Sequence, residues 1–376
     1  MTYDAIVIGS GISGGWAAKE LTEKGLKTIM LERGRNIRHV TDYPTANTRV
    51  WEFPHRGRLT REMKANHPVQ KRDYPYSEFN PDFWVDDLEC PYTEVKRFDW
   101  YRGFHVDGKS LMWGRQSYRW SDFDFEANAQ DGYGVDWPIR YADIAPWYDY
   151  VESFAGISGS LEGLPQLPDG QFLPPMEMNC VEKDVAARIR EHYNDRRRMI
   201  IGRAANLTQP HNGRANCQFR NLCSRGCPYS AYFSTQSSTL PAAVQTGNLT
   251  LQPFALVNRI LYDKNKKRAR GVLVIDAETM ETREYEAKVI FLCASTLAST
   301  FILLNSIEEG SLPDGLGNAS GQLGHNLMDH HFRCGAGAKV EGYEDKYFYG
   351  RRPNGIYIPR FRNLFGDKRD YLRGFG

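Results

Sequence analysis

Two groups of residues in this chain have the types and spacing to do chemistry. The first is built on glycine. An apolar segment, Tyr3–Ile8, runs into Gly9-x-Gly11-x-x-Gly14, and the next apolar segment, Lys27–Leu31, ends on Glu32. Strand, glycine turn, helix, strand and acid in that order form the sequence pattern of a dinucleotide-binding βαβ unit. Gly9 permits a tight turn, Gly11 lets the backbone approach a pyrophosphate, and Gly14 allows helix and strand to pack closely. The phosphates would sit at the helix N-terminus, where unpaired N–H groups and the helix dipole favour negative charge. Glu32 could then accept hydrogen bonds from a ribose.

The second group is sulfur. Cys217-x5-Cys223-x3-Cys227-Pro228 places three of the seven cysteines within eleven residues. A zinc site with His211 as fourth ligand is one reading, although the spacing is not that of the paired-cysteine knuckles. A disulfide is another, and it leaves one thiol over. An iron–sulfur cluster is the third, because thiolates hold the irons and proline follows the last cysteine in ferredoxin-type runs. A distant fourth ligand would have to come from Cys90, Cys180 or Cys334, each of which reads as a small buried hydrophobe. A third element, Gly108-Lys-Ser-Leu-Met-Trp-Gly114, is a small-residue loop flanked by aromatics, able to lie flat against an isoalloxazine ring or to be a plain turn.

These residues need elements to position them. Apolar residues at helical spacing predict a helix over 181–193, and alternation predicts strands at 249–251, 255–262 and 270–276. The run 289–304 reads as a buried strand, 289–292, followed by a helix; it is broken by Ser and Thr and falls short of the ~20 apolar residues of a membrane helix. Residues 36–100 carry scattered prolines and little periodicity, yet Trp51, Phe53, Phe79, Phe83, Trp84 and Trp100 offer apolar surface to bury. The Gly/Pro-rich stretch 158–176 is expected to be a surface connection.

At 376 residues the chain is long enough for two domains. Its net charge of +2 gives no electrostatic case for nucleic acid, and Arg196–Arg198 and Lys266–Arg268 read as solvated surface. The first strand begins at once, leaving no room for a signal peptide.

The glycine pattern, the 108–114 loop, Asp136–Tyr141, Ser234–Pro241, Cys293–Ser299 and Gly317–His330 together resemble the glucose–methanol–choline (GMC) oxidoreductase family, across the whole chain. The resemblance implies an α/β fold, α+β overall: a Rossmann-like FAD-binding domain interrupted by a substrate domain with an antiparallel sheet. The FAD-binding segments would be 1–35, 100–150 and 205–333, with the cysteine loop at 211–230; the substrate or cap segments would be 36–99, 151–204 and 334–376. FAD would be held by Gly9, Ser10, Gly11, Ile12, Ser13 and Gly14, by Glu32 and Arg33, by Gly108, Lys109, Ser110, Trp113 and Gly114, by Val257, and by Ala294 and Ser295. Met112 stands where some relatives carry a histidine bonded to flavin, which implies non-covalent FAD.

Within the family, the cysteine spacing resembles sugar dehydrogenase large subunits with a 3Fe-4S cluster, which implies Cys217, Cys223 and Cys227 as iron ligands. The opening segment is similar to bacterial glucoside 3-dehydrogenases, which implies a carbohydrate substrate oxidised at C3. C1 of glucose, or an aldonate such as gluconate, is an alternative, and a non-catalytic flavoprotein fragment is an alternative of another class. Electrons leaving singly through a cluster would argue for a dehydrogenase over an oxidase. The resemblance further implies a small export or chaperone subunit, a cytochrome or other acceptor, and a periplasmic location reached with that partner's signal, or otherwise a cytoplasmic one. The family's catalytic His, with its His or Asn partner, is expected beyond residue 376, in a segment that a C-terminally truncated chain would lack. His105, His211, His330 and His331 are therefore read as structural.

Overall fold

The computed structural model describes residues 2–132, 134–329, 334–346, 351–364 and 366. In chain order the elements are β1 (Thr2–Ile8), α1 (Ile12–Glu23), β2 (Thr28–Leu31), α2 (Arg61–Asn66), α3 (Asp122–Phe125), α4 (Ala127–Asp131), α5 (Tyr141–Ala155), β3 (Ile157–Ser158), β4 (Phe172–Leu173), α6 (Cys180–His192) and β5 (Ile200–Ile201). They continue with α7 (Thr239–Gln245), β6 (Leu249–Gln252), β7 (Ala255–Asp263), β8 (Arg268–Asp276), β9 (Thr282–Leu292), α8 (Thr296–Asn305) and β10 (Ile356–Tyr357). Among the described residues no helix is long and apolar enough to cross a membrane.

The chain divides into two compact units, the first made of 1–113, 224–228 and 234–334 and the second of the remainder. The first unit holds a mixed sheet ordered β6-β2-β1-β9-β8-β7. β6, β2, β1 and β9 run parallel, and β9, β8 and β7 form an antiparallel meander. Parallel strands buried on both faces read as continuous apolar runs, and β1 shows why. Ile6 and Ile8 pack with Ile29, Leu31, Val257, Val272 and Ile302 on one face. Ala5 and Val7 pack with Ala18, Leu21 and Met30 on the other, where α1 meets α7. This is the α/β class expected from sequence.

β9 differs from the expectation. It begins at Thr282, because Thr282–Glu286 pairs with β8 before Glu286–Leu292 pairs with β1. Its apolar C-terminal half is not buried throughout: Val289 and Phe291 are exposed, while Ile290 and Leu292 pack against the core. Within 36–100, Phe83 and Trp84 are buried, but Trp51 is exposed.

In the second unit β3 pairs with β4 and β5 with β10. The 158–176 stretch is therefore more than a surface connection: it contributes β4 and buries Leu167, Gln166 and Met176. Arg203 is fully buried and anchored by Asp169 at 2.7 Å. Arg197, in the middle of a run read as solvated, is also buried. Asn179 caps α6, accepting the Glu182 N–H at 2.9 Å.

Candidate cofactor site

The glycine turn is positioned by close backbone packing. Gly9 has φ +94°, a left-handed value, and a side chain there would lie 2.6 Å from the Cys293 carbonyl oxygen. A Cβ on Gly14 would lie 1.9 Å from the Gly9 carbonyl oxygen. Gly11 is different: nothing stands within 4 Å of where its Cβ would be, and it forms the N-cap of α1 with no side-chain cap. The turn is thus closed on its protein side and open at the helix N-terminus, where N–H groups seek an acceptor.

Glu32 faces the turn from the end of β2. Its Oε2 accepts the Ser10 N–H at 3.1 Å and the Ser10 hydroxyl at 2.5 Å, and its Oε1 accepts the Gly34 N–H at 3.0 Å. Burial pushes the Glu32 carboxyl above its ordinary value, and those three hydrogen bonds oppose the shift. The loop before the 108–111 helical turn closes on the same place. Asp107 donates its N–H to Ser10 Oγ at 3.2 Å, and Ser110 bonds the Asp107 carboxylate. Ser110 Oγ also accepts the Thr235 N–H at 2.9 Å, which ties in the segment leading to α7. Burial raises Asp107 to about 7.

A second turn meets Gly9 from β9. Cys293 donates its N–H to the Ile8 carbonyl, and Ala294 Cα would be 3.0 Å from a Gly9 Cβ. Ser295 is the N-cap of α8, with φ +70° and ψ 166° and no side-chain cap. That conformation is ordinarily reserved for glycine, and strain of this kind collects at ligand-binding turns. The first unit therefore brings Gly9, Ser10, Gly11, Gly14, Glu32, Gly108, Ser110, Ala294 and Ser295 together. Ile12 and Ser13 follow in the first turn of α1.

Other residues named from sequence are placed less directly. Val257 lies in β7, two residues past Ala255, whose N–H bonds the Glu32 carbonyl at 2.8 Å. Arg33 is exposed and stacks on the Phe104 ring at 3.8 Å, and Lys109 is exposed. Trp113 ends the first unit and Gly114 opens the second. Asp107 was missed by sequence reasoning; a carboxyl next to Gly108 reads as turn chemistry, and its burial has no local signal.

The cysteines of the triad fall in different units, Cys217 and Cys223 in the second and Cys227 in the first. Among the described residues no group of three His, Cys, Asp or Glu side chains is placed to hold a metal ion. None of the seven cysteines forms a disulfide. Cys217 is buried, and its Sγ accepts the N–H of Phe219 at 3.4 Å; Cys223 opens a one-turn helix. Residues 224–228 are held by Arg225, buried over Phe79 at 3.8 Å and donating to the Thr48 carbonyl at 2.7 Å. The candidate fourth cysteines are not buried either: Cys90 is partly exposed, and Cys180 and Cys334 are exposed. His211 Nε2 lies 2.7 Å from the Ser153 carbonyl, and His105 is buried between the Val106 and Phe83 carbonyls. His330 and His331 lie outside the described residues.

A family model described as GMC oxidoreductase matches residues 3–332. The chain belongs to the GMC oxidoreductase family. GMC members are FAD-binding oxidoreductases that act on CH–OH donors. This chain is 27% identical over 99% of its length to a 2-methyl-1,2-propanediol dehydrogenase of Mycolicibacterium austroafricanum, covering 63% of that protein. It is 26% identical over 86% of its length to a paromamine 6'-oxidase of Streptomyces fradiae, covering 53%. Against the fructose dehydrogenase large subunit of Gluconobacter japonicus it is 24% identical over 98% of its length, covering 65%. The chain thus spans between half and two thirds of the length of these relatives. The solved structure of a pyridoxine 4-oxidase from Mesorbium loti matches 81% of the chain and 51% of its own, at a TM-score of 0.48 and 16% identity.

Proposed function

We propose that this chain carries the FAD site of a GMC dehydrogenase that oxidises a secondary hydroxyl of a carbohydrate, at C3 of glucosides or disaccharides. The single observation that supports it is the turn around Gly11: open on one side, closed by protein on the other, and lined by Glu32 and Ser10. FAD, when bound, supplies a two-electron acceptor for hydride from a carbinol carbon. The chain's own part is binding. The N-terminal N–H groups of α1 would take the pyrophosphate, Glu32 would take a ribose hydroxyl through lone pairs its three present donors leave over, and the 108–114 loop would cover the flavin. Non-covalent attachment follows from Met112.

The C3 assignment rests on the likeness of the opening segment to glucoside 3-dehydrogenases. The preference for a dehydrogenase over an oxidase rests on the cysteine spacing, which resembles that of sugar dehydrogenase large subunits with a 3Fe-4S cluster: Cys217, Cys223 and Cys227 would hold such a cluster, which would let electrons leave singly to an external acceptor. A large-subunit role, with a small export partner, a separate electron acceptor and a periplasmic location, is part of the same reading; the fructose dehydrogenase relative is itself named a large subunit. Incubating the full-length enzyme with lactose and a dye acceptor, followed by NMR of the product, tests it. A 3-keto disaccharide supports the assignment, and lactobionic acid moves the chemistry to C1.

A further inference from the structure

Segment 49–61, in the first unit, presents charge that the protein leaves unused. It holds four arginines and one acid, Glu52, whose carboxylate turns back to accept the Arg49 N–H. Elsewhere exposed arginines find acids of their own: Arg38 pairs with Asp42 at 3.1 Å, Arg188 with Asp184 at 3.0 Å and Arg283 with Glu281 at 3.3 Å. Among the described residues the exposed side chains of Arg56, Arg58 and Arg61 make no hydrogen bond or ion pair. Arg56 and Arg58 line a cavity of about 490 Å³ with Pro54, His55, Leu59 and Thr60, a lining that contains no acid. The next acid along the chain, Glu62, lies past it in α2. Near it in the chain Trp51 is 68% exposed, under the Arg49 guanidinium at 5.5 Å.

The backbone is fixed in this shape from within its own unit. Glu78 accepts the His55 N–H at 3.1 Å and the Gly57 N–H at 2.8 Å. Arg56 and Gly57 turn the chain at φ +52° and +86°, and a Cβ on Gly57 would lie 2.2 Å from the Phe79 ring, which packs on Phe53 at 4.7 Å. Thr60 caps α2 by accepting the Met63 N–H at 3.1 Å. A ligand therefore meets a turn already ordered, and binding costs only side-chain freedom. Tryptophan and arginine are the residue types that dominate protein–protein interfaces, and a guanidinium takes a carboxylate in two parallel hydrogen bonds.

We propose that segment 49–61 is a docking surface for an acidic segment of a partner protein, its carboxylates paired by Arg56 and Arg58 and its apolar part laid on Trp51. The charges line a recess, which a side chain can enter and a flat lipid surface cannot. The inference goes beyond the flavin reading and does not depend on it.

The test is fluorescence anisotropy of a labelled ten-residue oligoglutamate peptide titrated with the full-length protein, with Arg56→Gln/Arg58→Gln, Trp51→Ala and Lys266→Gln/Lys267→Gln beside the wild type. At low ionic strength the double arginine variant is expected to bind about tenfold more weakly, and Trp51→Ala about threefold. The lysine pair, exposed at the β7–β8 turn, controls for charge alone and is expected to change affinity less than about twofold. Raising the salt to about 300 mM should weaken wild-type binding about fivefold and the double arginine variant far less. Equal affinity of the wild type and the arginine variant, or a loss confined to the lysine variant, overturns the proposal. So does displacement of the peptide by equimolar inorganic phosphate, which would make the recess a small-anion site. Binding to phosphatidylserine vesicles that the arginine variant loses, without binding of the peptide, would make it a membrane contact and overturn it as well.

Discussion

The glycine turn and the cysteine loop are the two densest motifs in the chain, and the structure treats them oppositely. At the glycine turn the protein stops short. Around Gly11 there is open space, and both adjoining helices lack side-chain caps. At residues 224–226 of the cysteine loop the protein supplies the contacts. Arg225 fills its surroundings with carbonyl acceptors and the Phe79 ring, Tyr43 packs where a Gly226 side chain would be, and Asn80 bonds the Ser224 carbonyl at 3.0 Å. The glycine turn leaves chemistry unsatisfied, whereas residues 224–226 are packed and hydrogen-bonded by their own unit.

The comparison breaks first at Gly14. Gly14→Ala forces a Cβ into the Gly9 carbonyl, so a loss of about 3 kcal/mol in a denaturant melt and no retained flavin are expected. Near-wild-type stability would mean that the turn is not packed as described. Arg225→Ala removes a buried cation and leaves carbonyls unsatisfied; about 2 kcal/mol of stability is expected to go, with flavin content per folded chain unchanged.

The pH dependence of stability isolates Asp107. Its carboxyl is raised from an ordinary 3.8 to about 7, so the native state holds a proton that the unfolded chain releases. The associated stability is complete below about 4 and is lost as pH rises through 7. D107N should therefore gain on the wild type by several kcal/mol at pH 8 and little at pH 4, as read by melting across that range. A constant difference between the two would put the effect elsewhere.

The smallest effect is expected at the half-buried thiols. Cys223→Ser and Cys227→Ser should each shift stability by less than about 1 kcal/mol and leave flavin content unchanged. Iron bound by the wild type and lost in either variant would support the cluster reading, and a wild type without iron would contradict it.

The same contrast explains what could be seen in the sequence. β1, α1, β2 and Glu32 were legible because local sterics of glycine and a two-sided apolar strand dictate them, and α6 and β6–β8 because their periodicity is strong. The start of β9 was hidden: Thr282–Glu286 is charged and exposed except at Tyr285, so pairing with β8 and not burial makes it a strand. Asp107 was hidden because its burial comes from contacts such as those with Ser10 and Gln236, far away in sequence. The cysteine triad is the least legible from spacing, because ligand geometry depends on how the intervening chain turns, and Phe219 and Asn221, both at positive φ, turn it within the motif.

The central claim is that the space at Gly11 belongs to FAD. A Gly11→Ala variant meets nothing within 4 Å and keeps an allowed backbone, so it should fold as the wild type does. The decisive measurement is FAD content of the two full-length proteins, purified side by side and matched for stability. About one extractable FAD per wild-type chain, with little in Gly11→Ala, is the outcome this account requires; equal flavin in both, or none in the wild type, contradicts it.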